Sequence, residues 1–122
     1  PDGTWPEGAY SLLEDIGKWI NINGEAIYGT RAMAPYKDGK VCINRKGDNT
    51  WYLFYIADES ESMPASVTMN GLTLPQGSVV TVIGTKTKCS WLNGTDSFTV
   101  NIPYKIRNKP PSDYVWVMKI EF

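Results

Sequence analysis

The spacing of apolar residues changes once along this chain, at Asn23-Gly24. Before that point they recur at helical intervals; after it they fall into short runs suited to strands. Ala9, Leu12, Leu13, Ile16, Trp19 and Ile20 follow the i, i+3, i+4, i+7 pattern and form one stripe on a helix over residues 5–22. Thr4-Trp5-Pro6-Glu7 supplies a capping box, with Pro6 in the first turn, where its missing N–H costs nothing. Gly24 is the residue type favoured just past a helix C-terminus. Gly8 and Gly17 each weaken the helix by up to ~1 kcal/mol relative to alanine, so packing has to hold the stripe in place.

Residues 24–40 read as a connecting segment, with Pro35 and Asp38-Gly39 as turn signals. Strands follow at residues 41–44, 51–56, 66–69, 72–74, 79–83, 88–92, 97–102 and 114–122. Asn70-Gly71 and Asn93-Gly94 have the form of tight hairpin turns. The unbroken apolar run from Trp51 to Ile56 marks a strand covered on both faces. Alternation in the last strand puts Val115, Val117, Lys119 and Glu121 on one face, with Tyr114, Trp116, Met118, Ile120 and Phe122 facing the core. The fold class is mainly β: an antiparallel β-sandwich of about seven or eight strands preceded by one amphipathic α-helix.

At 122 residues the chain can bury most of its apolar surface as one unit. Its 42% hydrophobic and 20% charged content is that of an ordinary globular protein rather than a disordered one. Twelve basic against thirteen acidic side chains leave a net charge of −1, and so no electrostatic reason to expect nucleic acid or an anionic membrane as partner. The run Trp51–Ala57 is far too short to span a bilayer. The opening Pro1-Asp2-Gly3, without initiator Met or signal peptide, reads as a cut inside a longer protein.

Histidine is absent, which removes Ser-His-Asp and Cys-His catalysis; two cysteines alone make no ordinary zinc site. No metal or cofactor is expected. Cys42 and Cys89 are read as free thiols acting as small hydrophobes, with a disulfide as the alternative. Carboxylates cluster at Glu14-Asp15 and at Asp58, Glu59 and Glu61. The first pair lies off the helix stripe and the second set in a polar loop, so both are read as solvated rather than as a tuned acid/base pair. Five Trp, seven Tyr and three Phe make a sugar-stacking platform conceivable. Trp19, Trp51, Tyr52, Phe54, Tyr55, Trp116 and Phe122 nevertheless fall at core positions, which leaves Trp5 and Trp91 the least settled. Asn93-Gly94-Thr95 matches the glycosylation acceptor pattern, but the turn reading is preferred. Lys105, Arg107 and Lys109 are too sparse a basic cluster for nucleic acid.

The segment Leu13-Glu-Asp-Ile-Gly-Lys-Trp-Ile-Asn-Ile-Asn-Gly-Glu-Ala-Ile-Tyr-Gly-Thr-Arg31, after the loop Pro1-Asp-Gly-Thr4, resembles the end of the catalytic domain of family 29 glycoside hydrolases, the alpha-L-fucosidases. Asn44-Arg-Lys-Gly-Asp48, Val82-Ile-Gly-Thr85 and Tyr114-Val-Trp-Val-Met-Lys-Ile120 resemble parts of that family's C-terminal β-sandwich. The resemblance implies a terminal barrel helix over 1–23, a connection over 24–40 and the sandwich over 41–122. It further implies an upstream (β/α)8-like barrel that hydrolyses alpha-L-fucosides with retention through an Asp nucleophile and a Glu acid/base. No position here matches either motif, so no catalytic residue is assigned and the chain by itself is expected to be inactive. The implied partner is the catalytic barrel, and the implied parent is secreted, periplasmic or lysosomal. Without the barrel, Leu12, Leu13, Ile16 and Trp19 are expected to favour self-association. The alternative reading is a carbohydrate-binding module for fucosylated glycans.

Overall fold

The computed structural model describes residues 16–57, 61–110 and 115–122. Eight strands are present among the described residues: β1 (Arg31–Asp38), β2 (Val41–Lys46), β3 (Thr50–Ile56), β4 (Ser66–Asn70), β5 (Val79–Val82), β6 (Lys88–Asn93), β7 (Ser97–Asn101) and β8 (Val115–Glu121). All neighbouring pairs are antiparallel, in the order β1-β2-β3-β8-β5-β6-β7-β4. Strand β6 divides its length between two partners. Lys88 and Cys89 pair with β5, and Ser90 to Asn93 pair with β7. The sheet therefore folds over along β6 into two layers, as expected of a sandwich.

Alternation in the sequence fixes what lies between the layers. In β4, Val67 and Met69 are buried while Ser66, Thr68 and Asn70 are exposed; in β7, Phe98 and Val100 are buried. They meet Ile43, Leu53, Val80, Val82, Met118 and Ile120 from the other layer in one core. Each such side chain contributes roughly 1.5–3 kcal/mol by leaving water. The outer face of the β4–β7 layer stays polar, with the Thr68 and Thr99 hydroxyls 2.8 Å apart.

The β2-β3-β8 layer is covered on both sides, as the run Trp51–Ile56 predicts. Leu53 points into the central core, whereas Tyr52 and Phe54 join Ile83, Val117 and Ala26 in a second cluster on the outer face. That cluster is capped by helix α1, described over residues 16–23, and by the 3-10 turn η1 (Gly24–Ala26). Cys42 packs against the outer cluster and Cys89 lies in the central core; both are free thiols on opposite sides of the layer. Burial pushes the Cys89 thiol pKa up.

Four expectations need correction. Residues 24–40 carry structure of their own, η1 and β1. Strand β1 lies at the sheet edge, is mostly exposed, and has a register shift between Ala32 and Lys37, so it has no alternation to reveal it. Residues 72–74 form no strand, and Asn70-Gly71 closes no hairpin: β4 pairs with β7, and the Gly71 N–H donates to the Asp96 carbonyl. Asn93 takes the backbone of Leu74 instead, donating from Nδ2 to its carbonyl at 2.8 Å and accepting its N–H at 2.9 Å. Phe122 is not in the core; it is 36% exposed and packs edge-on against Trp51. A tight turn does join β6 to β7, but two residues later than expected: Asn93 is the last residue of β6 and lies opposite Phe98, the Gly94 N–H donates to the Ser97 carbonyl, and the corner falls at Thr95-Asp96. The helix expected over 5–22 is helical from residue 16 to 23, and its earlier part lies outside the described residues.

Candidate functional site: the seam between helix and sheet

The residues Trp19 to Ala26 form the junction between α1 and the outer face of β3 and β8. Trp19 is half-buried, and its indole Nε1 donates to the Val115 carbonyl at 2.8 Å. One helical turn later, fully buried Asn23 donates from Nδ2 to the Trp19 carbonyl at 3.2 Å; its Oδ1 has no hydrogen-bond partner among the described residues. Gly24 ends the helix, and its carbonyl accepts from both the Ile27 and Tyr28 N–H groups. A side chain at Gly24 would begin 3.1 Å from the Tyr28 ring and 3.4 Å from Ile20, so glycine lets these two apolar groups close over it.

Glu25 then reaches down to the sheet. Its Oε2 accepts the Tyr52 phenol at 3.0 Å and lies 2.9 Å from Lys119 Nζ. Tyr52 and Lys119 are direct register partners on β3 and β8, which is why one carboxylate can meet both. Partial burial works to raise the Glu25 pKa, but the Lys119 ammonium and the Tyr52 hydroxyl outweigh it and hold the group below its ordinary value. The hydrogen bond that Lys119 donates to Glu25 raises the Lys119 pKa against the opposing effect of burial. Burial, reinforced by the Glu25 hydrogen bond, pushes the Tyr52 phenol up to about 12. This cluster acts as a clip: one oxygen of a carboxylate held below its ordinary pKa meets Tyr52 and Lys119 at once.

The clip has a defined pH window. Glu25 is depressed on folding, so its contribution is present above the ordinary carboxylate pKa and is lost as pH falls through the lowered value. Lys119 and Tyr52 are raised, so theirs is present below their ordinary values and is lost as pH rises through the raised ones. Lys119→Met is therefore expected to lower urea stability at about pH 7 and to have a smaller effect at about pH 3. An equal loss at both pH values in urea titrations would remove the clip from the account.

The other sequence candidates separate cleanly. Glu61 accepts from Lys40 Nζ at 2.6 Å and from the Tyr55 hydroxyl, so it is engaged by side chains of its own layer. Glu14, Asp15, Asp58, Glu59 and Trp5 lie outside the described residues. Trp91 is half-buried, with its Nε1 donating to the Ser78 carbonyl at 2.9 Å. Arg107 stacks over Tyr104 and donates to the Ile102 carbonyl, tying down the short helix α2 (Tyr104–Asn108). Both polar atoms of the Asn93 amide bond the Leu74 backbone, which engages its Nδ2 within the fold rather than leaving it free for a glycan. Among the described residues no three Cys, Asp or Glu side chains converge as a metal site would require. No local sequence pattern marks the seam as a site, because Glu25 and Lys119 are single polar residues 94 positions apart that meet only through the fold.

Fold and seam together define a two-layer antiparallel β-sandwich domain with a helix clamped across one outer face. No family model matches the chain. In sequence and fold, however, it is similar to the C-terminal β domain of alpha-L-fucosidases. It is 26% identical over 113 residues to an alpha-L-fucosidase of Branchiostoma floridae, covering 89% of this chain and 24% of that protein. The crystal structure of Thermotoga maritima alpha-fucosidase bound to a mechanism-based inhibitor superposes with a TM-score of 0.79 at 21% identity, covering 99% of this chain and 28% of that one. Alpha-L-fucosidase isoenzyme 1 from Paenibacillus thiaminolyticus gives a TM-score of 0.69 at 24% identity, covering 98% of this chain and 28% of that one. The chain thus spans about a quarter of the length of these relatives.

Proposed function

We propose that this chain is the accessory β-sandwich of an alpha-L-fucosidase, whose parent hydrolyses alpha-L-fucosides with retention. In this reading residues 1–23 are the last helix of the catalytic barrel, and the sheet from β1 (Arg31–Asp38) onward is the sandwich that supports it. The observation that carries the reading is the seam: Trp19, Glu25 and Ala26 fasten the helix to the sheet, while Ile16 and Ile20 stay 45% and 38% exposed. With Ile27 and Tyr28 also exposed, the junction keeps an apolar surface for the barrel to cover. A carbohydrate-binding module would need exposed aromatics gathered on a sheet face. Here Tyr52, Phe54 and Trp116 are buried, and the exposed tyrosines, Tyr28, Tyr36 and Tyr104, belong to three separate segments.

The test joins two measurements on the chain. It is expected to release no chromophore from an aryl alpha-L-fucoside, and to show no saturable binding to fucose or fucosylated oligosaccharides. Hydrolysis would assign catalysis to the chain itself, and saturable binding would favour the module. Sedimentation is expected to show concentration-dependent self-association that weakens in Ile16→Ser/Ile20→Ser. A monomer at every concentration would count against an uncovered docking surface.

A further inference from the structure

At one end of the sandwich, six positions beyond Glu25 in the sequence, Arg31 on β1 stands directly opposite Arg45 on β2. Opposed residues of an antiparallel pair lie roughly 4.5–5.5 Å apart at Cα, and like charges so placed repel. Neither guanidinium forms an ion pair among the described residues. They line an open cavity of about 130 Å³ with Gly29, Gly47 and Asp48, room for several water molecules. Both glycines have positive φ, +72° and +65°, and no side chain from either occupies the space. Arg45 is also directly opposite Trp51 on β3, so the row across three strands runs arginine, arginine, indole. Trp51 is half-buried and braced by Phe122.

The geometry points to a binding site for an acidic saccharide, a sugar bearing a carboxylate or sulfate. Two adjacent guanidinium forks suit an oxyanion, which would also relieve their mutual repulsion. Asp48 is wrong for a bare anion but right for a sugar, because a carboxylate accepts hydroxyl protons. Trp51, packed on the core and against Phe122 outside the cavity lining, closes the row beside Arg45.

Titration of the chain, followed by backbone amide NMR, separates the alternatives. Glucuronate and galactose-6-sulfate are expected to shift residues 29–31 and 45–48 saturably, and the stronger of the two identifies the acid group. Arg31→Gln and Arg45→Gln are each expected to weaken binding by about 10-fold or more. Asp48→Asn is expected to weaken the sugars while leaving inorganic sulfate unaffected. No shift with either acidic sugar, equal shifts with neutral galactose, or binding that survives both arginine substitutions would overturn the site. Inorganic sulfate binding as tightly as the sulfated sugar would overturn its assignment to a saccharide. All three side chains line an open surface, and the native amide spectrum of each variant serves as the control for folding.

Discussion

Phe98→Ala is expected to lower the stability of the chain by about 3–5 kcal/mol, the usual cost of emptying a buried aromatic site. Phe98 is fully buried on β7, the middle strand of the smaller layer, with Met69 of β4 and Asn93 of β6 as its register partners. Its ring is one of the few large groups that this layer contributes to the shared core. Since a domain is commonly held by only about 5–15 kcal/mol, such a loss should lower the urea midpoint by roughly a fifth or more of its value. The contrast is Leu92→Ala on the same hairpin. Leu92 is 69% exposed, and its replacement should change stability by less than about 0.5 kcal/mol. Similar midpoints for the two variants would mean that packing between the layers is not what holds the fold.

Trp19→Ala is expected to act locally. It removes the 2.8 Å bond to the Val115 carbonyl and the indole's contact with the outer cluster, together roughly 2–3 kcal/mol. That loss corresponds to about 30–150-fold faster amide exchange in residues 16–23 if the helix detaches by itself. Amides of β4 and β7 should keep their protection, because their contacts lie in the central core. Trp19→Phe retains a ring but loses the bond, and should show about 1 kcal/mol of the effect. Uniform acceleration across the whole chain would instead make helix and sandwich a single cooperative unit.

How far these features could be read in advance follows from what each depends on. Trp51–Ile56 announces a strand covered on both faces because the run is unbroken by charge, and it is so covered from Tyr52 to Phe54, with Ile56 left exposed at its end. Val67, Met69, Phe98 and Val100 announce an inward face by simple alternation. Strand β1 carries no such signal: at an edge it buries little, and Pro35 within it looks like a loop. Asn70-Gly71 has the composition of a hairpin turn, yet β4 pairs with β7, and the segment after Gly71 is held by the distant side chain of Asn93 and by the burial of Leu74. The seam was half legible. Asn23-Gly24 marks the helix end, but the meeting of Glu25, Tyr52 and Lys119 needs strand register that no local pattern encodes. The arginine pair is hidden for the same reason.

Strand β1 also bears on the company this domain can keep with its own copies. An open sheet edge is a template on which identical chains polymerise. Here the two terminal strands are β1 and β4, and Asp38 at the end of β1 accepts both the backbone N–H and the side-chain amide of Asn70 at the end of β4. One rim is thereby stitched to the other. The rest of β1 is an irregular template: its register shifts, Pro35 has no N–H to offer, and Tyr36 sits at a left-handed φ of +67°. Any association through the exposed helix should therefore stop at discrete oligomers, because the strand edges provide no route to fibrils.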